Sequence, residues 1–434
     1  MNKSHTYIGA AVVLAVGLLG CLKTEFESRE LTPGRADFYN YIAIGNSLTQ
    51  GFQDFGLHNK YHEQENSFPA ILAGQMKLVS PDIGEFVQPL ATANGSGYMH
   101  LAEINGELEV LSADDLGGYG EDASWSSWAD KTVKYNNLGV AGIRLTDCVP
   151  TAGDFLSSTI NQAVVSFNPF GRFLDFGTPI INNVSYLDHV KSSGATFFTC
   201  WLGNNDLLLW CISGGEATPI EIGGVGLIDI TPLTPANVFR NKYDSVLTAL
   251  SRMGADGACS TIPDITSIPL FNTINEEATG YPIWITEGNG VVRVAEEDDL
   301  ILLTASDYLA DGTGQSQSDP LPTSQVLDKY EAAIAREHTL TLNQIIREAA
   351  EKYGFALVDN YDFLRPYEDG VVLDGVDYST KYIEGGVFSL DGIHPNPKGY
   401  ALTANVFIEA INEHYGSTIP KVEAGNYKGI IFPN

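Results

Sequence analysis

The chain has 434 residues, of which 44% are hydrophobic and 10% aromatic, so it can bury a large core. Its formal net charge of -30 argues against a nucleic-acid-binding surface, which needs basic residues, and disfavours adsorption to anionic lipid headgroups. Neutral or cationic ligands remain compatible with that charge. Length and composition indicate one large domain with insertions, or a domain with a subdomain.

The N-terminus has the pattern of a processing signal. A short apolar core at residues 8–19 overlaps Leu-Leu-Gly-Cys at 18–21, which is typical of a lipobox cleaved before Cys21. The core is too short to cross a bilayer as a helix. The pattern resembles bacterial lipoproteins, which implies a signal peptide at 1–20 and a lipid anchor on Cys21 in the cell envelope, at the outer membrane or cell surface. An ordinary secretory peptide is the alternative. The polar residues 21–36 are predicted to be a tether.

The first motif follows an apolar, strand-like run at residues 38–44. Gly-Asn-Ser-Leu-Thr at 45–49 leads from that strand into a helix-compatible segment. Open α/β proteins bind ligands at the carboxyl edge of the sheet, and the NH groups at a helix start carry positive partial charge. Ser47 is therefore a candidate nucleophile, with a simple capped turn as the alternative.

A first insertion is predicted at about residues 80–130, where glycine, serine and aspartate accompany short alternating runs. Its Trp125 and Trp128 could stack on a sugar or pack within the insertion. Just before it, His58 and His62 are four residues apart, but no third metal ligand is evident. A solvated loop is the preferred interpretation of the two histidines.

The second and third motifs also follow strand-like runs. The run at 133–141 ends at Gly142, whose NH could face a bound oxyanion because no side chain obstructs it; a turn glycine is the alternative. The run at 195–202 predicts a strand buried on both faces, followed by Gly-Asn-Asn-Asp at 203–206. The amide of Asn205 could donate to a developing negative charge, or form an Asx turn. Asp206 is expected to hold the loop.

Two further helix and strand pairs are predicted, at about 235–253 and 258–264, and at about 324–353 and 355–359. Between them, a second insertion at about 272–323 contains two glycines within residues 287–290, which predicts a β-hairpin. Strands that alternate with helices at these separations predict a mainly parallel sheet of five strands covered on both sides.

The fourth motif is Asp-Gly-Ile-His at residues 391–394, where glycine and the following prolines prevent an ordinary helix. A short rigid turn can hold the Asp391 carboxylate against one nitrogen of His394 and leave the other nitrogen for general-base work. A metal site is the alternative, but no third ligand lies nearby. Asn396 is predicted to cap a closing helix that ends near Tyr415.

Four cysteines remain after Cys21. Buried thiols are favoured for them, while an oxidising envelope would permit a bridge between the first and third. They are Cys148, Cys200, Cys211 and Cys259.

Together, the four motifs resemble the SGNH, or GDSL, hydrolase family, because its signature blocks occur here in the family's order. The resemblance covers about residues 37–271 and 324–416. It implies a flavodoxin-like three-layer α/β/α sandwich with a five-stranded, mainly parallel sheet and two insertions. The predicted domain spans 37–416, and residues 417–434 are a C-terminal extension.

The resemblance also implies roles for individual residues. The nucleophile is Ser47, the general base is His394, the residue that orients the base is Asp391, and the oxyanion hole consists of the NH groups of Ser47 and Gly142 with the side-chain amide of Asn205. No metal or organic cofactor is implied. The family usually has aspartate where this chain has Asn46, so we expect activity to survive with altered local hydrogen bonding.

These roles predict a serine esterase that hydrolyses carboxylic esters through an acyl-enzyme. The predicted partners are an ester on a glycan or a lipid, and a membrane reached through the lipid anchor; nucleic acid is not among them. Two alternatives remain: a lipase or lysophospholipase that acts on lipid esters, and a glycan-binding surface lipoprotein that keeps the fold without catalysis.

Overall fold

A computed structural model describes residues 30–58, 63–91, 95–112, 133–149, 185–216, 219–222, 226–229 and 232–433. The described residues from Thr32 onward belong to one compact unit. The predictions of a signal peptide at 1–20 and of lipidation at Cys21 lie outside the described residues, as do His62, Trp125 and Trp128.

Strands and helices alternate along much of the described chain. The strands are β1 (Tyr41–Gly45), β2 (His100–Ile104), β3 (Glu107–Leu111), β4 (Phe197–Trp201), β5 (Pro219–Ile222), β6 (Gly226–Asp229), β7 (Asp256–Ser260), β8 (Trp284–Thr286), β9 (Val292–Val294), β10 (Leu300–Ile301), β11 (Val326–Leu327), β12 (Ala356–Val358), β13 (Val371–Leu373) and β14 (Val376–Tyr378). The α-helices are α1 (Ser47–Gln50), α2 (Phe68–Val79), α3 (Leu145–Cys148), α4 (Tyr186–Ser192), α5 (Asn205–Ile212), α6 (Ala236–Arg252), α7 (Pro269–Asn272), α8 (Glu276–Thr279), α9 (Ser306–Ala310), α10 (Lys329–Tyr353), α11 (Asn360–Glu368) and α12 (Pro397–Tyr415).

The central sheet has the order β1-β4-β7-β12, and each neighbouring pair is parallel. The predicted second strand is not a regular strand in the structure. Residues 136–140 instead lie beside β1 through one parallel bridge between Ala43 and Asn137. Three backbone hydrogen bonds of 2.8–3.1 Å hold that segment to Ala43 and Gly45. With it in the outer position, the order is 2-1-3-4-5, which is that of flavodoxin-like folds.

Both faces of the sheet are covered, as the side chains of β4 show. Phe197 and Trp201 point to one face, where their rings contact Tyr415 and Phe407 of α12. On the other face, the side chain of Cys200 lies close to Tyr243 of α6. Because successive strand residues point to opposite faces, helices lie on both sides of the sheet. The predicted α/β/α class is confirmed.

The predicted second insertion has a small apolar core of its own, and the expected hairpin is present as antiparallel β8 and β9. That core consists of Ile283, Ile285, Ile301, Ala305, Leu309, Leu321 and Val326. Arg293 of β9 donates to Glu287 at 2.5 Å and to Asp299 at 2.5 and 2.8 Å. Asp299 also accepts from the backbone NH of Lys329 at 2.8 Å, which connects the insertion to the start of α10. The first insertion contributes the hairpin of β2 and β3.

The predicted tether is attached to the domain at its C-terminal end. Arg35 donates its backbone NH to Tyr415 at 2.9 Å, and Thr32 and Thr418 pair at 2.8 and 3.0 Å. Residues 417–433 also pack on the domain: Ile419 is buried, and the side chain of Asn412 bonds its backbone on both sides. Residues 32–36 are therefore bound to the domain, and the predicted C-terminal extension is integrated with it.

Cys148, Cys200, Cys211 and Cys259 are all free and buried, so the preferred interpretation of buried thiols is confirmed and the bridge between Cys148 and Cys211 is not formed. Within the described part of the chain, no helix combines the length and hydropathy needed to cross a membrane.

Candidate active site

Ser47 is the first residue of the short helix α1, directly after β1. Asn46 caps this helix by accepting the NH of Leu48 at 3.1 Å. The turn must be tight, because a Cβ at position 45 would lie 2.0 Å from the Thr49 hydroxyl. Glycine at that position therefore allows the chain to pass from strand to helix within one residue, and places Ser47 at the carboxyl end of β1.

Asp391 and His394 occupy a compact loop before α12. The Ser389 NH donates to the His394 carbonyl at 2.8 Å and closes the loop, and Gly392 adopts a φ of +68° that favours glycine. Asn396 caps α12 by accepting the NH of Gly399 at 3.1 Å, as predicted. The loop therefore leads directly into a regular, buried helix that fixes its position.

The structure brings Ser47, His394 and Asp391 into one line of contacts. The Nε2 atom of His394 lies 2.8 Å from the Ser47 hydroxyl, although the two residues are 347 positions apart. The Nδ1 atom lies 2.8 Å from Asp391 Oδ2. Each of the three residues is at most 7% exposed. Such an arrangement can move a proton from the hydroxyl to an imidazole held by a carboxylate.

Asp391 remains ionised although it is buried. Burial alone would raise its pKa, but the charge of His394 and five hydrogen bonds to the carboxylate outweigh this effect and lower the pKa to about 2. Its Oδ1 atom accepts from Ser389, Ile393 and the His394 backbone, and its Oδ2 atom accepts from Phe55 and the His394 ring. The carboxylate is thus fixed in orientation, which in turn fixes the imidazole.

Asn205, the predicted amide donor, is 4% exposed and lines the same cavity as Ser47 and His394. One of its N–H groups donates to the Ile143 carbonyl at 3.0 Å. An amide nitrogen carries two hydrogens, so this bond orients the group and uses only one donor. Gly142, next to Ile143, has a φ of +77° and no atom within 4 Å of the place where a Cβ would lie. The bond from Asn205 therefore joins the second and third motifs.

Asp206 holds this same junction, as expected. Its Oδ2 atom accepts the NH of Leu145 at 2.9 Å. Burial raises the pKa of Asp206 to about 7, although the Leu145 and Thr234 hydrogen bonds and the charge of Arg144 act in the opposite direction. The side chain therefore anchors α3 beside α5.

Two positions that support α1 were missed in the sequence. A Cβ at Gly139 would lie 2.3 Å from the backbone nitrogen of Gln50, so the second motif packs directly on the helix that carries Ser47. The side chain of Gln50 accepts the NH of Ala141 at 2.9 Å. Glycine at 139 was visible in the sequence, but only the tertiary contact reveals its role.

Asn46, the departure from the family pattern, is 1% exposed. Its side-chain oxygen caps α1, as an aspartate oxygen would. Its amide nitrogen has no partner among the described residues. The difference from aspartate is therefore confined to the other polar atom of the side chain, which is an amide nitrogen where aspartate has a second oxygen.

Two cavities lie near these motifs. One has a volume of about 60 Å³ and is lined by Ser47 and His394 together with apolar side chains, among them Trp201, Leu208 and Phe363. A larger one, of about 330 Å³, is lined by Asp54, His58, Tyr98 and residues 429–433, and neither Ser47 nor His394 reaches it. The smaller cavity is therefore the one at which chemistry on Ser47 can take place.

The interpretation of His58 as part of a solvated loop is wrong, because this residue is buried, with 5% of its surface exposed. Its Nε2 atom lies 3.0 Å from Asp54, and its ring stacks on Tyr98 with 3.5 Å between centroids. No group of three His, Cys, Asp or Glu side chains suited to a metal ion occurs within the described ranges.

The chain matches a known protein family over most of its length. Residues 41–407 match the family described as GDSL-like lipase/acylhydrolase. Because the match spans more than half of the chain, the protein belongs to that family and is a carboxylic ester hydrolase.

Among the solved structures that are similar to the chain are two hydrolases. An α/β hydrolase from the metagenome of Lake Arreo is 13% identical, with a TM-score of 0.35 and coverage of 87% of this chain and 96% of the other. The acetylxylan esterase Axe2 from Geobacillus stearothermophilus is 10% identical, with a TM-score of 0.37 and the same coverage, 87% and 96%. None of the curated proteins compared matches the sequence significantly.

Proposed function

We propose that this protein is a serine esterase in which Ser47, His394 and Asp391 act as a catalytic triad on short-acyl esters. The observation that carries the proposal is the unbroken line of contacts, 2.8 Å from Ser47 to His394 and 2.8 Å from His394 to Asp391. Ser47 also sits at the carboxyl end of β1, where α/β folds bind their ligands.

The reaction begins with proton transfer from the Ser47 hydroxyl to Nε2 of His394 as the oxygen attacks the ester carbonyl. Asp391 accepts a hydrogen bond from the Nδ1–H group of His394, and its low pKa keeps it charged while the imidazolium forms. His394 then returns the proton to the departing alkoxide, which leaves an acyl group on Ser47. Water, activated by the same imidazole, hydrolyses this acyl-enzyme and regenerates the hydroxyl.

The developing oxyanion needs donors in place before the reaction. We assign the NH groups of Ser47 and Gly142 and the second N–H of Asn205 to this task. The hydrogen bond from Asn205 to Ile143 supports the assignment, because it orients the amide next to Gly142.

A short acyl group is favoured by the size of the cavity at Ser47. Its volume of about 60 Å³ is small beside the roughly 300–1,000 Å³ of ordinary ligand pockets, which suits an acetyl group better than a long chain. The apolar lining favours the methyl end of such a group. The acid-derived part of the substrate is therefore proposed to be acetyl or similarly small.

The location is also a proposal. The lipobox ending at Cys21 and the polar residues after it support a lipid anchor in the bacterial cell envelope. Residues 32–36 are attached to the domain, so the chain between Cys21 and Thr32 would act as the tether.

A chain-length series of nitrophenyl esters, from acetate to palmitate, tests the reaction and the acyl preference together. We expect the highest kcat/KM on acetate, and a fall of at least about ten-thousandfold in kcat for Ser47→Ala and for His394→Ala, since triad residues act as a unit. The exposed Ser251→Ala is the matched control and should retain wild-type rates.

Turnover that persists in Ser47→Ala would contradict the triad. A serine-dependent optimum on long chains would contradict the short-acyl preference and favour lipid esters. The absence of turnover on every ester of the series, in wild type as in Ser47→Ala, would favour a binding protein.

A further inference from the structure

The turn at residues 53–56 follows the helix that carries Ser47 and contacts the loop that carries Asp391. It begins three residues after α1 and is closed by two 2.9 Å backbone hydrogen bonds between Gln53 and Gly56. Its two central residues, Asp54 and Phe55, have φ values of +51° and +60°. Left-handed backbone is tolerated by aspartate but is an outlier for a bulky residue such as phenylalanine. Such a conformation persists only where its surroundings hold it in place.

The turn is held by the loop at residues 389–394, which contains Asp391 and is called the acid loop. The NH of Asp54 donates to the Ser389 hydroxyl at 2.9 Å, and the NH of Phe55 donates to Asp391 Oδ2 at 2.8 Å. In the other direction, Oδ1 of Asp54 accepts the NH of Leu390 at 2.7 Å. Three consecutive residues of the acid loop are thus bound by two residues that follow Ser47 closely in the chain.

Among the hydrogen bonds to Asp391, the one from Phe55 differs from the rest. Four of its five hydrogen bonds come from residues 389–394, which belong to its own loop. The bond from Phe55 comes from a residue 336 positions away. It therefore fixes the acid relative to the helix that carries Ser47, which the bonds inside the loop cannot do.

We propose that Asp54 is a positioning residue for the ester hydrolysis. Its carboxylate and its left-handed backbone keep the loop at residues 389–391 in a fixed position relative to α1. The inference rests on the proposed triad. The carboxylate is itself held: its Oδ2 atom lies 3.0 Å from His58, and the side chains of Asp54 and His58 are 15% and 7% exposed. Asp54 touches no reacting atom, so it acts through Asp391 and His394.

Three variants of Asp54 separate its contributions. Asp54→Asn keeps an oxygen acceptor for Leu390 and tolerates left-handed backbone. Asp54→Ala removes the acceptor, and Asp54→Gly removes it without backbone strain, so it serves if the alanine variant folds poorly. Asp374→Ala is the matched control, because Asp374 has a φ of +52° in the exposed turn between β13 and β14.

The measurements are kcat and KM on nitrophenyl acetate, the rate of Ser47 labelling by a fluorophosphonate, and the melting temperature. For Asp54→Ala and Asp54→Gly we expect kcat and labelling to fall about tenfold or more with KM within about twofold, since a misplacement of about 1 Å can cost a hundredfold. Asp54→Asn should stay within about threefold of wild type, and Asp374→Ala should match wild type in kcat.

A wild-type kcat in a folded Asp54→Gly would overturn the inference. An equal loss in Asp54→Asn would also overturn it, because charge would then matter and not the hydrogen bond. Turnover that survives Ser47→Ala would instead refute the proposed triad, so the two failures are distinguishable.

Discussion

Two buried aspartates in the motifs show how local contacts decide ionisation. Asp391 receives five hydrogen bonds and faces His394, so its pKa falls to about 2 despite burial. Asp206 is fully buried with fewer donors, so burial prevails and its pKa rises to about 7. The first is a carboxylate throughout the range in which enzymes work, whereas the second holds a proton near neutrality. Both residues are aspartates, so the difference between their pKa values comes from their surroundings.

The raised pKa of Asp206 makes a prediction about stability. The folded protein retains a proton on Asp206 that the unfolded chain, with a pKa near the ordinary 3.8, has already lost. The contribution of Asp206 to the free energy of unfolding is therefore complete below about pH 4 and is lost as the pH rises towards 7. We expect Asp206→Asn to melt at a higher temperature than wild type at pH 8, with a smaller difference at pH 5.

The control for this experiment is Asp374→Asn, which changes an exposed aspartate in a hairpin turn. It should show no gain that grows with pH. If Asp206→Asn has the same melting difference at pH 5 and pH 8, the carboxyl does not titrate between these values.

At the scale of elements, α1 is too short to be stable by itself, since helices of one turn gain little from their own hydrogen bonds. It is held instead by its cap at Asn46 and by the second motif packed on its end. The place of Ser47 is therefore decided by contacts from outside the helix. Each contact is a site at which activity can be lost without change to the triad.

Gly139→Ala tests the packing on α1. The added methyl group would lie 2.3 Å from the Gln50 nitrogen and 2.7 Å from the Thr49 carbonyl carbon, so the backbone of α1 must move. We expect a lower melting temperature and a fall in kcat on nitrophenyl acetate of about tenfold or more, because Ser47 moves with the helix.

Gly74→Ala is the comparison, because an added Cβ there meets no atom within 4 Å and alanine favours the helix. It should keep wild-type activity and gain slightly in stability. Wild-type kcat in Gly139→Ala would show that α1 adjusts without disturbing Ser47.

At the scale of the whole molecule, the parallel sheet brings the motifs together at one edge. Parallel strands in the order 2-1-3-4-5 have their carboxyl ends at one edge, so segments that follow different strands meet there. The acid loop reaches the same place by leading into α12, which packs against β7 and β12. The second insertion, with its separate core, is connected to α10 through Asp299.

The proposed anchor predicts where the molecule resides. Cys21→Ala should shift the protein from the membrane fraction to the soluble fraction when cells are separated by ultracentrifugation, because the acyl chains would have no attachment point. Cys211→Ala, which alters a buried thiol in α5, is the control and should remain with the membranes. Unchanged fractionation of Cys21→Ala would remove the lipid anchor from the proposal.

The sequence by itself determined the α/β class, the four motifs, the helix cap at Asn396 and the hairpin of the second insertion. These depend on local patterns: apolar runs, glycine at tight turns and polar residues at helix ends. It also indicated Ser47, Asp391 and His394, through the family resemblance.

Only the tertiary structure decided how these residues meet. The segment at 136–140 has the sequence pattern of a strand but makes a single bridge to β1, and its Gly139 packs on α1. Likewise, Asp54 and Phe55 give no signal in the sequence, since their role depends on a loop 336 positions away. Contacts between distant segments leave no periodic pattern, so their energetic and functional consequences appear only once the chain is folded.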